Sequence, residues 1–325
     1  MQKSCLVIGG SGFLGGHLVR KLLSINCRVT STYNSRPIKE DNSDPNLSLS
    51  KADICKRDEI ESVFPDLDYV FMCANVSPFN LSKEEYKRRV TQINTEGINN
   101  VAQCMIKYKT KFLVFLSSVA AMGANSDTEC YDESISFEPE ETYGKSKLLA
   151  EKTLQNYFKK GLIDGAILRP SGIYGPGGFG PLEKIVSFLN KGFVPIIGNG
   201  ENLQSVVYVG NVVNAAITVA ETNSSPGAVY LISDNRPYSV NEMISTTARI
   251  MGKKYRTIHF PVSVFRFIGW VLDWVSVITG KQMPVSRSSI DAITAGRIFK
   301  VDKIKNALGF EFEFELEDGL RQTLA

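Results

Sequence analysis

The stretch Ser4-Cys-Leu-Val-Ile-Gly-Gly-Ser-Gly-Phe-Leu-Gly15 carries a short apolar run directly into a glycine-rich turn. A strand, a tight turn and a helix start in this order suit a pyrophosphate, because glycines permit close backbone approach and the helix N-terminus supplies amide donors. We therefore expect a dinucleotide to bind at this turn. The residues expected to hold it are Gly9, Ser11, Gly12, Phe13, Leu14 and Gly15.

Short apolar runs alternate with longer amphipathic runs through the first half of the chain, which is typical of parallel strands joined by crossover helices. The pattern predicts an α/β protein with a Rossmann-type, doubly wound parallel sheet and a binding crevice at the carboxyl ends of its strands. Strands are predicted at Ser4 to Ile8, Arg28 to Thr32, Tyr69 to Ala74, Phe112 to Ser117 and Ala166 to Arg169, and helices are predicted to begin near Gly12, Lys56, Lys83 and Tyr143.

Glycine and proline punctuate the chain after Pro170, which indicates the turns and loops of a second region. The apolar run from Ser205 to Val209 and a helix from Asn211 to Glu221 are expected to return to the main sheet. We predict a nucleotide-binding domain over residues 1–170, to which residues 205–235 return. Residues 171–204 and 236–325 then form a smaller, interleaved substrate-binding region.

Composition and charge argue against several classes of function. Of the 325 residues, 43% are hydrophobic, and the formal net charge of +3 without a basic stripe gives no reason to expect nucleic acid. Six widely spaced cysteines without a CxxC pair, together with two histidines, make a metal site unexpected. Because the N-terminus leads straight into a strand and several cysteines lie in apolar runs, we expect no signal peptide and a reducing, cytoplasmic location.

Tyr143 and Lys147, in the stretch Tyr143-Gly-Lys-Ser-Lys147, are four residues apart and share one face of a helix. The ammonium of Lys147 is expected to favour the ionised phenol and to bring its pKa from about 10 towards neutrality. Such a phenol can exchange a proton with an alcohol or a ketone. An isolated pair at this spacing is common on ordinary helices, and it gains meaning here from the glycine turn upstream.

The end of the second strand bears on the choice of cofactor. A carboxylate there would bind the ribose hydroxyls of NAD, but the strand ends Ser31-Thr-Tyr-Asn-Ser-Arg36, with no acidic residue before Glu40. The guanidinium of Arg36 matches a ribose 2′-phosphate, so we predict NADP, with NAD as the alternative. Asp53 and Ile54 are predicted to reach the adenine, and helix capping by Asp53 is an equal alternative.

Together these motifs resemble the extended short-chain dehydrogenase/reductase family, which includes NAD-dependent epimerases and dehydratases. The resemblance runs nearly end to end and includes GGSGFLG, Asp53-Ile54, Asn94, Phe115-Leu-Ser-Ser118, YGKSK and Arg169-Pro-Ser-Gly-Ile-Tyr-Gly-Pro176. It implies that Tyr143 is the catalytic acid/base and that Lys147 holds the nicotinamide ribose. It also implies that Ser118 hydrogen-bonds the reacting oxygen, with Ser117 as the adjacent alternative. The further cofactor contacts implied are those of Tyr143, Lys147, Ala74 and Pro170.

Two segments indicate a branch of this family. The stretch Ser205-Val-Val-Tyr-Val-Gly-Asn211 resembles the 3-beta-hydroxysteroid and sterol dehydrogenases. Nucleotide-sugar enzymes usually carry an arginine just ahead of it, where this chain has Asn202-Leu-Gln-Ser205, and losing that bidentate contact weakens a diphosphate ligand. The apolar segment from Val262 to Thr279 resembles the C-terminal segment of steroid dehydrogenases. At about 18 residues it is marginal for a bilayer of roughly 30 Å, so it is expected to lie in a membrane interface, cover the substrate or form a buried helix.

These observations predict an NADP-dependent oxidoreductase that interconverts a secondary alcohol and a ketone on a fairly apolar, sterol-like or isoprenoid-like small molecule. The alternative is a nucleotide-sugar 4-epimerase, dehydratase or 4-keto reductase, which shares the same catalytic residues. A non-catalytic, cofactor-sensing protein is the third interpretation. The resemblance also suggests peripheral membrane contact through Val262 to Thr279 and a homodimer through the helices near Lys83 and Tyr143.

Overall fold

A central parallel sheet and the helices on its two faces position the site. The computed structural model describes residues 2–35, 44–76, 81–125, 128–222, 225–279 and 294–325. The strands are β1 (Ser4–Ile8), β2 (Arg28–Tyr33), β3 (Leu47–Lys51), β4 (Tyr69–Met72), β5 (Phe112–Leu116), β6 (Cys130–Tyr131), β7 (Gly165–Pro170), β8 (Gly172–Tyr174), β9 (Phe193–Ile197), β10 (Leu203–Gln204), β11 (Val206–Tyr208), β12 (Val229–Ile232), β13 (Tyr238–Ser239), β14 (Arg256–Phe260) and β15 (Ile298–Phe299). The helices are α1 (Phe13–Ser24), α2 (Arg57–Glu61), α3 (Lys83–Gln92), α4 (Ile98–Tyr108), α5 (Thr142–Lys159), α6 (Glu183–Asn190), α7 (Val209–Glu221), α8 (Val240–Met251) and α9 (Val262–Thr279), followed by Asp302–Leu308 and Leu316–Leu324.

The main sheet has seven parallel strands in the order β12-β7-β5-β4-β1-β2-β3. Because β1 pairs with β2 on one side and with β4 on the other, the chain winds outward in both directions from this strand. The predicted Rossmann-type, doubly wound fold is therefore confirmed. The winding reverses between β1 and β4, which leaves a crevice at the carboxyl ends of these strands.

Alternating side chains of the strands enter two separate cores. Val7 and Val114 pack on the face covered by α1 and α7, whereas Ile8 and Phe115 pack on the face covered by α2, α4 and α5. Successive side chains of a strand point to opposite faces, so one strand serves both layers. All five residues of β1 are buried, and burial on both faces explains why the strand is apolar without interruption from Cys5 to Ile8.

The structure departs from the sequence prediction at β3 and β11, and β12 was not among the predicted strands either. β3 is absent from the predicted strands, because its Leu-Ser alternation belongs to a partly exposed edge strand and forms no apolar run. The run from Ser205 to Val209 was expected in the main sheet, but β11 pairs instead with β8 in a separate ladder. That prediction is wrong because β8 continues the chain beyond the end of β7 and meets β11 outside the sheet. The return to the main sheet is made by β12.

A buried carboxylate connects the main sheet with segments that follow Pro170. Asp234, two residues after β12, accepts hydrogen bonds from the backbone N–H of Tyr208 at 2.9 Å, Asn211 Nδ2 at 2.9 Å and the Tyr174 hydroxyl at 3.2 Å. These donors belong to β11, α7 and β8. Burial raises the pKa of Asp234 to about 7, and the three hydrogen bonds oppose that shift. One side chain therefore connects the main sheet with the segments that follow Pro170.

α9 occupies the apolar segment from Val262 to Thr279, and most of its described side chains lie in solvent. The exposed fraction is 64% for Phe267 and 48% for Trp270, and β14 is exposed along its whole length. The described part of this segment is thus not a buried helix, which removes one of the three expectations for it. Within the ranges that the structure describes, no helix combines the length and hydropathy needed to cross a bilayer.

Candidate active site

The glycine turn connects β1 to α1 with the close contacts that a phosphate site needs. Gly9 has a φ of +83°, and a Cβ at this position would lie 2.8 Å from Ala74 Cα. A Cβ at Gly15 would lie 2.3 Å from the Gly9 carbonyl oxygen. The N-cap of α1 is Gly12, which has no side chain that could accept a hydrogen bond from the first turn. The amides of that turn are therefore available to an anion. The turn, with Ser11 exposed at its tip, therefore fits a dinucleotide pyrophosphate.

The side chains that follow the turn pack against segments that come after Pro170. Phe13 and Leu14 pack against a core cluster that includes Tyr174. A Cβ at Gly178 would lie 3.1 Å from the Phe13 ring, so this ring supports the loop after β8. The predicted cofactor contacts of Phe13 and Leu14 stay predictions. Sequence reasoning missed Gly10, where a Cβ would lie 2.0 Å from Ser31 Oγ, because nothing in the local sequence shows how closely β2 approaches.

The residues predicted for the adenosine end are placed only in part. Arg36 lies outside the described residues, so its contact with a 2′-phosphate stays a prediction. Asp53 Oδ1 accepts a hydrogen bond from the Cys55 N–H at 3.0 Å, which forms a local turn ahead of α2. The N-cap of α2 is Lys56, so Asp53 does not cap this helix. Ile54 is buried, and contact of either residue with adenine stays a prediction.

Lys147 is buried where α5 crosses the end of β5. Its side chain is 2% exposed, and Nζ donates a hydrogen bond to the Leu116 carbonyl oxygen at 3.0 Å. The ammonium lies 4.8 Å from the centre of the Phe115 ring and 5.9 Å from that of Tyr143. Burial lowers the pKa of Lys147 to about 8, and nearby Glu151 opposes this shift. The side chain is therefore still largely charged at neutral pH.

Tyr143 lies in the first turn of α5, and its phenol is a proton donor at neutral pH. Burial raises the pKa of Tyr143 to about 12, and the nearby Ser118 hydroxyl partly offsets the shift. The expectation that Lys147 moves this pKa towards neutrality is wrong for this structure. The reason is that desolvation dominates and the ammonium is hydrogen-bonded to a backbone carbonyl.

The two candidate serines have different partners. Ser118 Oγ accepts a hydrogen bond from the Ala120 N–H at 3.1 Å and lies close enough to Tyr143 to influence its phenol. Ser117 is buried and donates to Glu151 Oε1 at 2.5 Å, on the α5 side of the sheet. Of the two, Ser118 is the hydroxyl that the fold brings to Tyr143. Asn94 is fully buried in a helical turn and donates to the Val90 carbonyl oxygen at 3.0 Å, as a structural residue would.

Arg297 lies beside Gln204, although the residues directly ahead of β11 in the sequence, Asn202 to Ser205, include no arginine. The Arg297 N–H donates to the Leu203 carbonyl oxygen at 2.8 Å, and the Ser205 N–H donates to the Arg297 carbonyl oxygen at 2.8 Å. Arg297 and Gln204 are therefore bridge partners, and bridge partners project their side chains to the same face. Sequence reasoning missed Arg297 because it considered only the residues that precede β11.

The chain is similar in sequence and in structure to several known enzymes. The NAD dependent epimerase/dehydratase family matches residues 5–233. The chain is 26% identical over 332 residues to the N-acetyl-alpha-D-glucosaminyl-diphospho-ditrans,octacis-undecaprenol 4-epimerase of Escherichia coli O157:H7, covering 100% of this chain and 95% of that protein. It is 27% identical over 340 residues to a decarboxylating sterol-4-alpha-carboxylate 3-dehydrogenase of Schizosaccharomyces pombe, covering 100% and 98%. The UDP-glucose 4-epimerase of Thermotoga maritima, solved with UDP-glucose, has a TM-score of 0.78 at 25% identity and covers 99% and 97%.

The family match extends over well more than half of the chain. It spans the glycine turn, Ser118, Tyr143 and Lys147, which are the residues that the fold gathers at the carboxyl end of the sheet. The similar proteins include both sterol dehydrogenases and sugar epimerases. The chain is therefore an NAD(P)-dependent enzyme that belongs to the NAD dependent epimerase/dehydratase family, within the extended short-chain dehydrogenases/reductases.

Proposed function

We propose that the chain is an NADP-dependent oxidoreductase that interconverts a secondary alcohol and a ketone on a fairly apolar, sterol-like or isoprenoid-like molecule. The observation that carries this proposal is the pair of hydroxyls on Ser118 and Tyr143 with the buried ammonium of Lys147 beside them. A carbonyl oxygen that meets two such hydroxyls can be polarised by one and protonated by the other. The glycine turn and Pro170 would hold the cofactor.

The protein's own residues would handle the proton. When bound, the nicotinamide supplies or accepts the hydride. In the reductive direction Tyr143, protonated at neutral pH, gives its proton to the substrate oxygen as negative charge develops there. Ser118 donates a hydrogen bond to the same oxygen. Lys147, whose ammonium lies 5.9 Å from the centre of that ring, would then offset part of the desolvation cost of the phenolate that remains.

The apolar character of the substrate is supported by the surface of the second region. Besides Phe267 and Trp270 of α9, the β14 side chains Ile258 and Phe260 are 46% and 36% exposed. The Phe260 ring contacts Phe265 of α9, and the Phe267 ring stacks on Trp270. Clustered apolar side chains on the surface often mark a binding or membrane site. Similarity over the full length to a sterol dehydrogenase supports the same substrate class.

A second candidate is an epimerase acting on a diphosphate-linked sugar, and Arg297 is the observation that favours it. A guanidinium beside Gln204 could supply the bidentate phosphate contact that the sequence ahead of β11 lacks. The Escherichia coli relative is named for a diphospho-linked sugar on an undecaprenol chain. A lipid-linked sugar of that kind would offer a diphosphate to Arg297 and an apolar chain to α9.

A substrate panel tests the proposal. The wild-type protein with NADPH or NADP is assayed against hydroxysteroids, ketosteroids, isoprenoid alcohols, nucleotide sugars and polyprenyl-diphosphate sugars. Net oxidation or reduction of an apolar alcohol or ketone is expected. Sugar interconversion without net change in the cofactor would instead establish the second candidate, and Arg297→Gln should weaken only that activity. Absence of turnover with every apolar alcohol and ketone contradicts the first.

The choice of cofactor has its own test. NADPH is expected to bind at least about tenfold more tightly than NADH, since a guanidinium pairs well with a 2′-phosphate. Arg36→Ala should remove that preference while leaving the NADH affinity nearly unchanged. A clear NADH preference of the wild-type protein contradicts the role proposed for Arg36.

We also propose peripheral membrane contact, a homodimer and a reducing cytoplasmic location. The exposed apolar side chains of α9 support the membrane contact. Leu149 on α5 is 42% exposed, which is compatible with a dimer through α3 and α5. The six cysteines are all free thiols, which suits a reducing compartment.

A further inference from the structure

Three buried polar side chains lie directly behind the candidate catalytic residues. Ser117, Glu151 and Arg169, here called the Glu151 triad, are 4%, 3% and 8% exposed. Glu151 Oε1 accepts from Ser117 Oγ at 2.5 Å and from Arg169 Nε at 3.0 Å, and Oε2 accepts from Arg169 Nη2 at 2.6 Å. The carboxylate is thus held by a two-point guanidinium contact and a hydroxyl, which restricts both its position and its orientation.

Sheet geometry explains why the triad converges. Phe115 of β5 and Ile167 of β7 are register partners, and both point to the α5 face. Two residues further along each strand, Ser117 and Arg169 return to that face, because strand side chains alternate. Glu151 lies four residues after the site lysine on the buried face of α5 and meets both side chains.

Each member of the triad belongs to a segment that also carries a site residue. Ser117 precedes Ser118, Arg169 precedes Pro170, and Glu151 shares α5 with Tyr143 and Lys147. The hydrogen bond from Lys147 Nζ to the Leu116 carbonyl oxygen ties α5 to the same strand end. Movement of α5 relative to β5 would therefore break two contacts behind the site at once.

We propose that the Glu151 triad is a positioning unit that holds the Ser118 hydroxyl at its working distance from Tyr143 and Lys147. Displacing a catalytic group by about 1 Å can lower turnover by about a hundredfold, so the rigidity of this unit sets kcat. The negative charge of Glu151 also lies behind Lys147 and favours its charged form. The inference rests on the catalytic roles proposed above for Ser118, Tyr143 and Lys147.

The test uses Ser117→Ala and Glu151→Asp in the full-length protein. Both should lower kcat by about tenfold or more, while KM and the dissociation constant for NADPH stay within about twofold. Ser117→Thr, which keeps a hydroxyl, should recover most of the activity. Thr153→Ala is the matched control, because it removes a hydroxyl of the same helix that donates to the Leu149 carbonyl oxygen within that helix. Unchanged kcat in both triad variants overturns the proposal, even if their melting temperatures fall.

A pH profile and crystal structures complete the test. Lys147 faces Cys73, Tyr143 and, one helical turn along the buried face of α5, Glu151. Glu151→Gln removes the negative charge of that carboxylate, so the alkaline limb of kcat should move to lower pH. A limb that does not move overturns the electrostatic part. In crystals of Ser117→Ala, the separation between Ser118 Oγ and Tyr143 Oη should differ from that of the wild type. If the wild type turns over no substrate, the proposed function fails. The hydroxyl separation still decides on the triad, and an unchanged separation overturns it.

Discussion

Two helices of equal length, α5 and α9, differ in which side chains they bury: α5 buries charged side chains, whereas α9 exposes large apolar ones. Each spans 18 residues. α5 buries Lys147 and Glu151, and each of these charged groups has a hydrogen-bonding partner on a strand or strand end. α9 instead presents Phe267 and Trp270 to solvent. α5 therefore carries charged side chains on its buried face, and α9 carries large apolar side chains on its exposed face.

This contrast suggests that α5 serves the proposed catalytic step and that α9 serves binding. Desolvating a charge is costly unless partners compensate it, so the buried face of α5 tolerates few arrangements of its polar groups. An exposed apolar side chain puts no such demand on the fold and is free to suit a ligand or a membrane. Substitutions of the buried polar groups of α5 should therefore change turnover, whereas substitutions of the exposed apolar groups of α9 should change what the protein contacts.

The strongest test of this contrast is Tyr143→Phe, which should lower kcat by about a thousandfold because it removes the proton donor. The dissociation constant for NADPH, measured by fluorescence titration, should change little. Tyr157→Phe is the matched control on the same helix, since its hydroxyl donates to Asn99 Oδ1 at the exposed surface. Activity of Tyr143→Phe within tenfold of the wild type would break the comparison.

The second test follows the charge of Lys147. A lysine is charged below its pKa, here about 8, so kcat for reduction should be level below that pH and fall about tenfold per pH unit above it. Lys147→Met should lower kcat on the order of several hundredfold and abolish this limb. Lys152→Met changes an exposed lysine of α5 and should leave the limb in place. A limb that survives in Lys147→Met would show that another group titrates.

The third test compares the stability that the two helices contribute. Leu154 of α5 is fully buried, and Leu154→Ala should lower the free energy of unfolding by about 3 kcal/mol. Phe267→Ser on α9 should lower it by less than about 0.5 kcal/mol, because this ring is already mostly exposed. Urea unfolding measures both values. Similar losses would mean that α9 is packed as firmly as α5.

The smallest effect is expected on membrane contact. The wild type should sediment with phospholipid vesicles, and the double variant Phe267→Ser, Trp270→Ser should do so about threefold less, because it removes two large apolar side chains from the exposed face of α9. Its kcat on a water-soluble ketone should be unchanged. Leu162→Ser is the control, since Leu162 is 47% exposed elsewhere on the surface. A wild type that does not sediment with the vesicles refutes the proposed membrane contact.

Features set by neighbouring residues could be predicted from the sequence. β1 spans Ser4–Ile8 as predicted, and the glycine turn leads into α1 at Phe13, one residue after the predicted start. The i, i+4 spacing that puts Tyr143 and Lys147 on one helix is also local. These features depend on backbone sterics and side-chain periodicity over a few residues, and the sequence states both directly.

Other features depend on atoms that are distant in sequence. The sequence offered both Ser117 and Ser118, and only the packing of α5 on β5 and β7 directs Ser117 to Glu151 and leaves Ser118 near Tyr143. Likewise, Arg297 comes to lie beside Gln204 through a bridge between distant segments.

The sequence by itself determined the fold class, the glycine turn between β1 and α1, and the placement of Tyr143 and Lys147 on one helix. Only the tertiary structure decided which hydroxyl faces the site, in which direction burial moves the pKa of Tyr143, and that the described part of α9 is exposed. The physical reason is desolvation. The cost of burying a group depends on every atom packed around it, and no local pattern records those atoms.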